Sequence, residues 1–249
     1  MITLRRIALT ALAAPLALAL AACNSGTDEA GELSGEPIAA IPAPAGQSWL
    51  DVAAKTPEGG YVLGNPEAPL KLVEYASHTC GACAAFSATG APVLDEKYIS
   101  TGVVSYELRT LIRDPLDMTI TVLARCGAPE AYHPRANQAW AALGQFGQTL
   151  NANGAAMEAA MSAPENERFV RIAQAAGLLD WFAERGLSRD QAQTCLADTA
   201  NITALAEQSQ QQTQELDITG TPTFILNGKK LDVNQWPQLE PLIQQAGAR

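Results

Sequence analysis

Four residues, Cys80-Gly81-Ala82-Cys83, constrain this chain more than any others. They follow an apolar run, Leu70-Lys71-Leu72-Val73-Glu74-Tyr75-Ala76, with the character of a buried strand. They open a stretch from Ala82 to Tyr98 with the character of a helix. A helix N-terminus leaves unpaired N–H groups and carries partial positive charge. A sulfur held there is stabilised as its thiolate, so Cys80 is expected to have a lowered pKa and to be the exposed attacking thiol. Two intervening residues put Cys83 one helical turn further in, where it can close a disulfide with Cys80 and resolve a mixed disulfide. A lone C-x-x-C pair also serves as half of a zinc site or as a plain structural disulfide. Three features favour the redox pair: Glu74 six residues before Cys80, Thr221-Pro222 ahead of a strand-like run Thr223-Phe224-Ile225-Leu226, and an export leader.

The leader is residues 1–22. Arg5-Arg6 is its charged start, and Ile7 to Leu20 is an apolar run too short for a spanning helix. Leu20-Ala21-Ala22-Cys23 resembles a bacterial lipobox, whose cysteine becomes the lipid-bearing N-terminus. The alternative is an ordinary leader with a free cysteine nearby. The formal charge is -10, and without Arg5 and Arg6 it is -12. So acidic a chain, with no basic cluster, is a poor partner for nucleic acid. Five cysteines is an odd count. With Cys23 acylated and Cys80 and Cys83 paired, Cys126 and Cys195 are left as a candidate structural disulfide for an oxidising envelope. Two buried free thiols are the other possibility.

In chain order, residues 23–48 are rich in Gly, Ser, Glu, Ala and Pro and read as a flexible tether. About 25 such residues reach about 25–30 Å, enough to hold a globule off a membrane. Residues 49–113 carry a short strand at Tyr61-Val62-Leu63, the central strand, the helix with Pro92 kinking or splitting it, and a strand from Val103 to Leu111. Residues 114–200 show helical spacing only, over 116–126 and 134–146. Two apparent capping boxes, Ser162 to Glu165 and Ser188 to Gln191, open further helices. Residues 201–249 begin with a long helix capped by Asn201. The Thr223–Leu226 strand follows, then an Asn227-Gly228 hairpin with Lys229–Val233 as partner, and a closing helix from Gln235 to Ala246. Because strands resume after it, the helical segment reads as an insertion rather than a separate domain.

Taken together, Leu63-Gly64-Asn65-Pro66-Glu67-Ala68-Pro69, Val73-Glu74-Tyr75, the C-x-x-C and Gly220-Thr221-Pro222-Thr223-Phe224 resemble the DsbA-like branch of the thioredoxin superfamily, in a lipoprotein form. The resemblance covers roughly Trp49 to Ala246. It implies an α/β thioredoxin fold with an inserted all-helical subdomain, and a thiol–disulfide oxidoreductase that needs no cofactor or metal. Residue by residue, it implies Cys80 as nucleophile and Cys83 as resolving thiol. Pro222 becomes a cis-proline that leaves the Thr221 backbone free to pair with an extended substrate. Glu74 becomes a buried acid that relays a proton to or from Cys83; as a strand residue it has the alternative of facing solvent. His78 is read as an exposed turn residue, the alternative being a protonated neighbour that stabilises the thiolate. His133 is assigned nothing. Strongly oxidising members place Pro-His between the cysteines; Gly81-Ala82 here argues against a thiol pKa at the low extreme of about 3.5 to 7.

These readings converge on a lipid-anchored, periplasm-facing oxidoreductase that introduces disulfides into unfolded exported proteins and is reset by a membrane or soluble redox partner. An isomerase or reductase is the alternative within the class. Outside it stand a copper- or zinc-binding lipoprotein using Cys80, Cys83 and His78, and a surface lipoprotein using the fold as scaffold. The anchor makes its own prediction: radiolabelled palmitate enters the protein in cells, and Cys23→Ser abolishes the labelling.

Overall fold

The computed structural model describes residues 34–249. The expected leader and the lipidation candidate Cys23 lie outside the described residues. No helix among those described is long and apolar enough to cross a membrane.

The frame is a six-stranded mixed sheet. Its strands are β1 (Ala53–Lys55), β2 (Tyr61–Leu63), β3 (Leu70–Ala76), β4 (Val104–Thr110), β5 (Thr223–Leu226) and β6 (Lys229–Lys230), in the order β1-β2-β4-β3-β5-β6. Only β3 and β4 run parallel; all other neighbours are antiparallel. Along β3 the side chains alternate between faces. Leu72 and Ala76 enter the main core, whereas Tyr75 packs with Ile218 and Ile225 in a smaller cluster on the other face. Glu74 lies on the Leu72 face, level with Leu108 of β4 and Phe224 of β5, so it enters the main core as well.

After β3 the chain turns at residues 77–80 into α1 (Gly81–Thr89). The expected helix over 82–98 is divided into α1, α2 (Ala91–Leu94) and a π-helical turn at Asp95–Ile99. The break falls at Gly90, where a Cβ would meet the Phe86 ring at 2.7 Å and the Trp236 Cβ at 2.9 Å. Pro92 then sits in the first turn of α2, where its missing N–H leaves no hydrogen bond unmade.

Between β4 and β5 run eight helices: α3 (Pro115–Arg125), α4 (Tyr132–Ala141), α5 (Leu143–Ala152), α6 (Gly154–Met161), α7 (Glu165–Ala175), α8 (Leu178–Ala183), α9 (Arg189–Ala197) and α10 (Thr199–Glu215). A final helix, α11 (Trp236–Gln245), closes the chain. The insertion is not a detached lobe. α4 packs on α1, and α10 returns to the sheet, where its Gln212 accepts the Tyr75 hydroxyl at 3.2 Å.

Several local expectations need correction. Ser162 does not open a helix; its hydroxyl donates to Glu158 O at the end of α6, and Pro164 precedes α7 without a side-chain cap. The unforeseen helix α6 ends where that capping box was placed. The capping box at Ser188 is present. Asn201 is not a cap: Asp198 accepts the Asn201 N–H at 3.0 Å and caps α10. The hairpin partner of β5 is only two residues long, although Asn227 and Gly228 take the positive φ values, 48° and 82°, that a tight hairpin requires.

The segment read as tether is docked from residue 35 onward. Gly35 N–H donates to Gln245 O at 2.8 Å, Ile38 N–H to Gly247 O at 2.9 Å and Ile41 N–H to Thr101 O at 2.8 Å. The Trp49 indole donates to Ile41 O at 2.7 Å. Ile38 and Ile41 give this stretch enough apolar surface to leave water, which a composition average conceals.

Cys126, at the end of α3, and Cys195 of α9 are joined in a disulfide that closes a 69-residue separation. In the chain-entropy picture a loop of that size contributes on the order of 4 kcal/mol. Peptide mapping after mild dithiothreitol treatment should find Cys80 and Cys83 alkylated first, with the Cys126–Cys195 cross-link intact. Replacing both Cys126 and Cys195 by Ala should lower unfolding stability by up to that amount in denaturant titration.

Candidate active site

Cys80 is the N-cap of α1. Its backbone is extended, and its Sγ accepts the Cys83 N–H at 3.3 Å. The sulfur thus takes the place of the Ser, Asp or Asn oxygen that usually satisfies the first free N–H groups of a helix. Cys80 is 5 % exposed, so the attacking thiol expected to be open lies in a shallow recess. Its outer wall is the Thr221 carbonyl, which accepts from Sγ at 3.3 Å, on the residue that precedes Pro222 through a cis peptide bond. β5, paired with β3, is what carries Thr221 and Pro222 to the dithiol.

The electrostatics of the two sulfurs are opposed. Donation from the Cys83 thiol is the largest influence on Cys80. Burial opposes it, and the Thr221 side chain and the Cys83 and Ala82 N–H groups add to it. The result lowers the Cys80 thiol from 9.0 to about 5. Cys83 is pushed far above the ordinary thiol range by that same hydrogen bond, by burial and by the charge of Glu74. One sulfur is therefore an anion at neutral pH and its neighbour a neutral donor. That asymmetry is the chemical requirement for one thiol to attack and the other to resolve.

Glu74 is fully buried. Burial raises its carboxyl to about 8, opposed by the Tyr106 hydrogen bond and assisted by the charge of Cys80. The Tyr106 hydroxyl donates to Glu74 Oε2, and Oε1 has no protein partner. Tyr106 was not visible to sequence reasoning. It is one aromatic in an apolar strand, and the parallel register that aligns it with Leu72, on the Glu74 face, is a property of the folded sheet.

His78 is not an exposed turn residue; it is 2 % exposed and stacked on Trp140 with ring centroids 5.1 Å apart. Its backbone N–H donates to Asp117 Oδ1 at 2.7 Å, and Nδ1 pairs with the Thr121 hydroxyl at 2.9 Å. Burial, with the Arg125 charge, drops its pKa to about 3. A neutral imidazole offers Cys80 no cationic stabilisation. The Trp140 indole donates to Ser77 O at 2.9 Å, so α3 and α4 together fix the turn that leads into the dithiol. His133 is buried too, with Nε2 against Tyr61 O at 2.9 Å. Among the described residues no three His, Cys, Asp or Glu side chains gather as a metal-holding group.

A polar groove of about 440 Å³ runs beside Thr221 and Pro222, edged by Asp232, Asn234 and Gln238. Thr221 on its edge is the residue whose carbonyl lies against Cys80 Sγ.

Titrating the reduced protein at 240 nm should give a thiolate midpoint near 5, and Cys83→Ala should move it upward by removing the largest stabilising donor. The folded value lies below that of an unfolded thiol. Thiolate formation therefore adds stability to the reduced protein that is complete above pH 9 and lost as pH falls from 9 towards 5. The melting temperature of the reduced form, relative to the oxidised, should fall over that window.

The geometry has counterparts among known proteins. A family model described as thioredoxin matches residues 56–245. A protein of Rickettsia conorii named "putative protein-disulfide oxidoreductase" is 29 % identical over 180 residues, 72 % of this chain and 57 % of its own length. A Rickettsia bellii protein of the same name is 40 % identical over 75 residues, 30 % of this chain and 29 % of its own. The chain thus spans between 29 % and 57 % of the length of these curated relatives. A crystal structure titled protein-disulfide isomerase from Novosphingobium aromaticivorans superposes with a TM-score of 0.69 at 28 % identity, covering 74 % of this chain and 94 % of that one. The structure of Wolbachia pipientis alpha-DsbA1 gives 0.62 at 21 % identity, covering 77 % and 92 %, which shows a shared fold.

Proposed function

This chain belongs to the thioredoxin family, and from that premise we propose that it is a thiol–disulfide oxidoreductase that introduces disulfides into exported proteins through Cys80 and Cys83. The observation that carries the reading is the Cys80 sulfur capping α1 beside the cis Thr221–Pro222 bond.

In the oxidised enzyme a substrate thiolate attacks Cys80 Sγ. The Cys80–Cys83 bond breaks, a mixed disulfide forms, and Cys83 leaves with the electron pair and takes a proton. Glu74, buried at the dithiol with a raised pKa, is the proton's source. A second substrate thiolate then attacks the substrate sulfur of the mixed disulfide. Cys80 departs as a thiolate, the product carries its new disulfide, and the enzyme is left as the dithiol. The Thr221 backbone pairs with the substrate segment as an added strand. An external oxidant of the disulfide or quinone class, delivered by a redox partner, restores the Cys80–Cys83 bond.

The direction follows from the thiolate. Whatever stabilises the reduced form makes the disulfide the stronger oxidant, by about 30 mV for each 1.4 kcal/mol. Cys80 is stabilised by hydrogen bonds from three residues, Cys83, Thr221 and Ala82, which favours oxidation of substrates. Isomerisation is the second reading, favoured by the name of the Novosphingobium structure. The leader and the Cys23 lipobox support a lipid-anchored position in the cell envelope facing exported chains.

Cys83→Ala should accumulate mixed disulfides with envelope proteins in cells while Cys80→Ala does not. Equal trapping by both variants would refute the assignment of attacker and resolver. With purified protein, fast oxidation of a reduced, unfolded substrate and slow recovery of a scrambled one identify an oxidase; the reverse identifies an isomerase.

A further inference from the structure

The Glu74 carboxyl sits in the core with no solvent contact of its own. Every proton it gives to Cys83 has to be replaced, and the dithiol side offers no way in, because Cys83 is fully buried and Cys80 nearly so. On the other side stands Tyr106, whose hydroxyl donates to Glu74 Oε2. Tyr106 also lines an open cavity of about 490 Å³ that it shares with Asp95, His133 and Asn137. At about 30 Å³ per water, that cavity has room for several. Tyr106 is the one residue that both bonds Glu74 and borders this cavity.

We propose that Tyr106 is the relay and positioning residue through which Glu74 exchanges protons with solvent, by way of the cavity between α2 and α4. This rests on the reading of Glu74 as proton donor to Cys83. As Cys83 takes the carboxyl proton, Glu74 becomes a carboxylate and Oε2 receives the Tyr106 hydroxyl proton. The phenolic oxygen takes another from a cavity water in the same movement, and that water regains a proton from bulk solvent through the open cavity. One O–H bond breaks and one forms at Tyr106, so the phenol ends as it began. The return of Cys83 to the disulfide runs the chain backwards.

The surroundings fit a neutral relay. The phenol is held far from ionisation by burial first and then by the charge of Glu74. Glu74 is faced by Cys80, the N-cap of α1, by Cys83 of α1 and by Tyr106 of β4. Tyr106 is faced in turn by Tyr132 and His133 of α4, and His133 is uncharged, its pKa lowered to about 4 by burial. Asp95 on the cavity wall is raised to about 6 by burial, which suits a group that passes protons near neutrality.

The test is single-turnover oxidation of a reduced model peptide by the oxidised full chain, followed from pH 5 to 9 in Tyr106→Phe, Glu74→Gln and the double variant. General acid–base assistance is worth about a hundredfold or more, and loss of its supply route should cost at least about tenfold. Tyr106→Phe should slow the step by that factor at pH 7 and shift the limb that reports Glu74 to higher pH. The 240 nm titration of Cys80 should keep its midpoint, and the double variant should be no slower than Glu74→Gln. A Tyr106→Phe rate within twofold of the parent, with Glu74→Gln slow, overturns the relay and leaves the role of Glu74 intact. A Glu74→Gln rate equal to the parent overturns both. Should Tyr106→Phe fail to fold, the proton inventory of the parent in H₂O/D₂O mixtures decides: a curved plot supports more than one proton in motion, and a straight one overturns the relay.

Discussion

The hydrogen bond from Cys83 N–H to Cys80 Sγ is the interaction the rest of the structure serves. A helix N-terminus needs an acceptor, and here the acceptor is the Cys80 sulfur. While the sulfur is an anion the cap is at its strongest. Once the sulfur is bonded to a second sulfur, the cap is weaker and the helix N-terminus has lost its counter-charge. The free energy of the helix end is thereby coupled to the redox state of the pair. The neutral Cys83 thiol reinforces this from inside the same turn.

Such coupling depends on the turn ahead of α1 being held still, and the inserted helices do this. Asp117 of α3 accepts the backbone N–H groups of both His78 and Arg113, and the Trp140 indole of α4 holds the Ser77 carbonyl. The stacked His78–Trp140 pair fills the space between. An imidazole stacked and buried in this way is a packing element. The insertion is thus part of the scaffold that holds the dithiol turn.

Below the dithiol, the sheet supplies the acid. The parallel register of β3 and β4 puts Glu74 and Tyr106 on one face, and the antiparallel pairing of β3 with β5 brings Thr221 and Pro222 to the mouth of the site. Two different strand pairings therefore place the Glu74 carboxyl near Cys83 and the Thr221 carbonyl against Cys80.

The sequence by itself determined what is local. Cys80 and Cys83 at helix-turn spacing after an apolar strand, the Asn227-Gly228 turn and the Ser188 capping box depend on neighbours a few residues away. Local chemistry selects such features. The interruption of the sheet by helices was legible for the same reason, since period 2 and period 3.6 are written along the chain. Tertiary structure decided the rest. It buried His78 under helices that begin dozens of residues later, paired Glu74 with Tyr106 across a parallel register, and seated residues 35–41 on the globule. It also moved the break in the 82–98 helix to Gly90, because the Trp236 side chain arrives there from the far end of the sequence. Burial and pKa are set by what packs against a residue, and for these residues the partners lie 32 to 210 positions away along the chain.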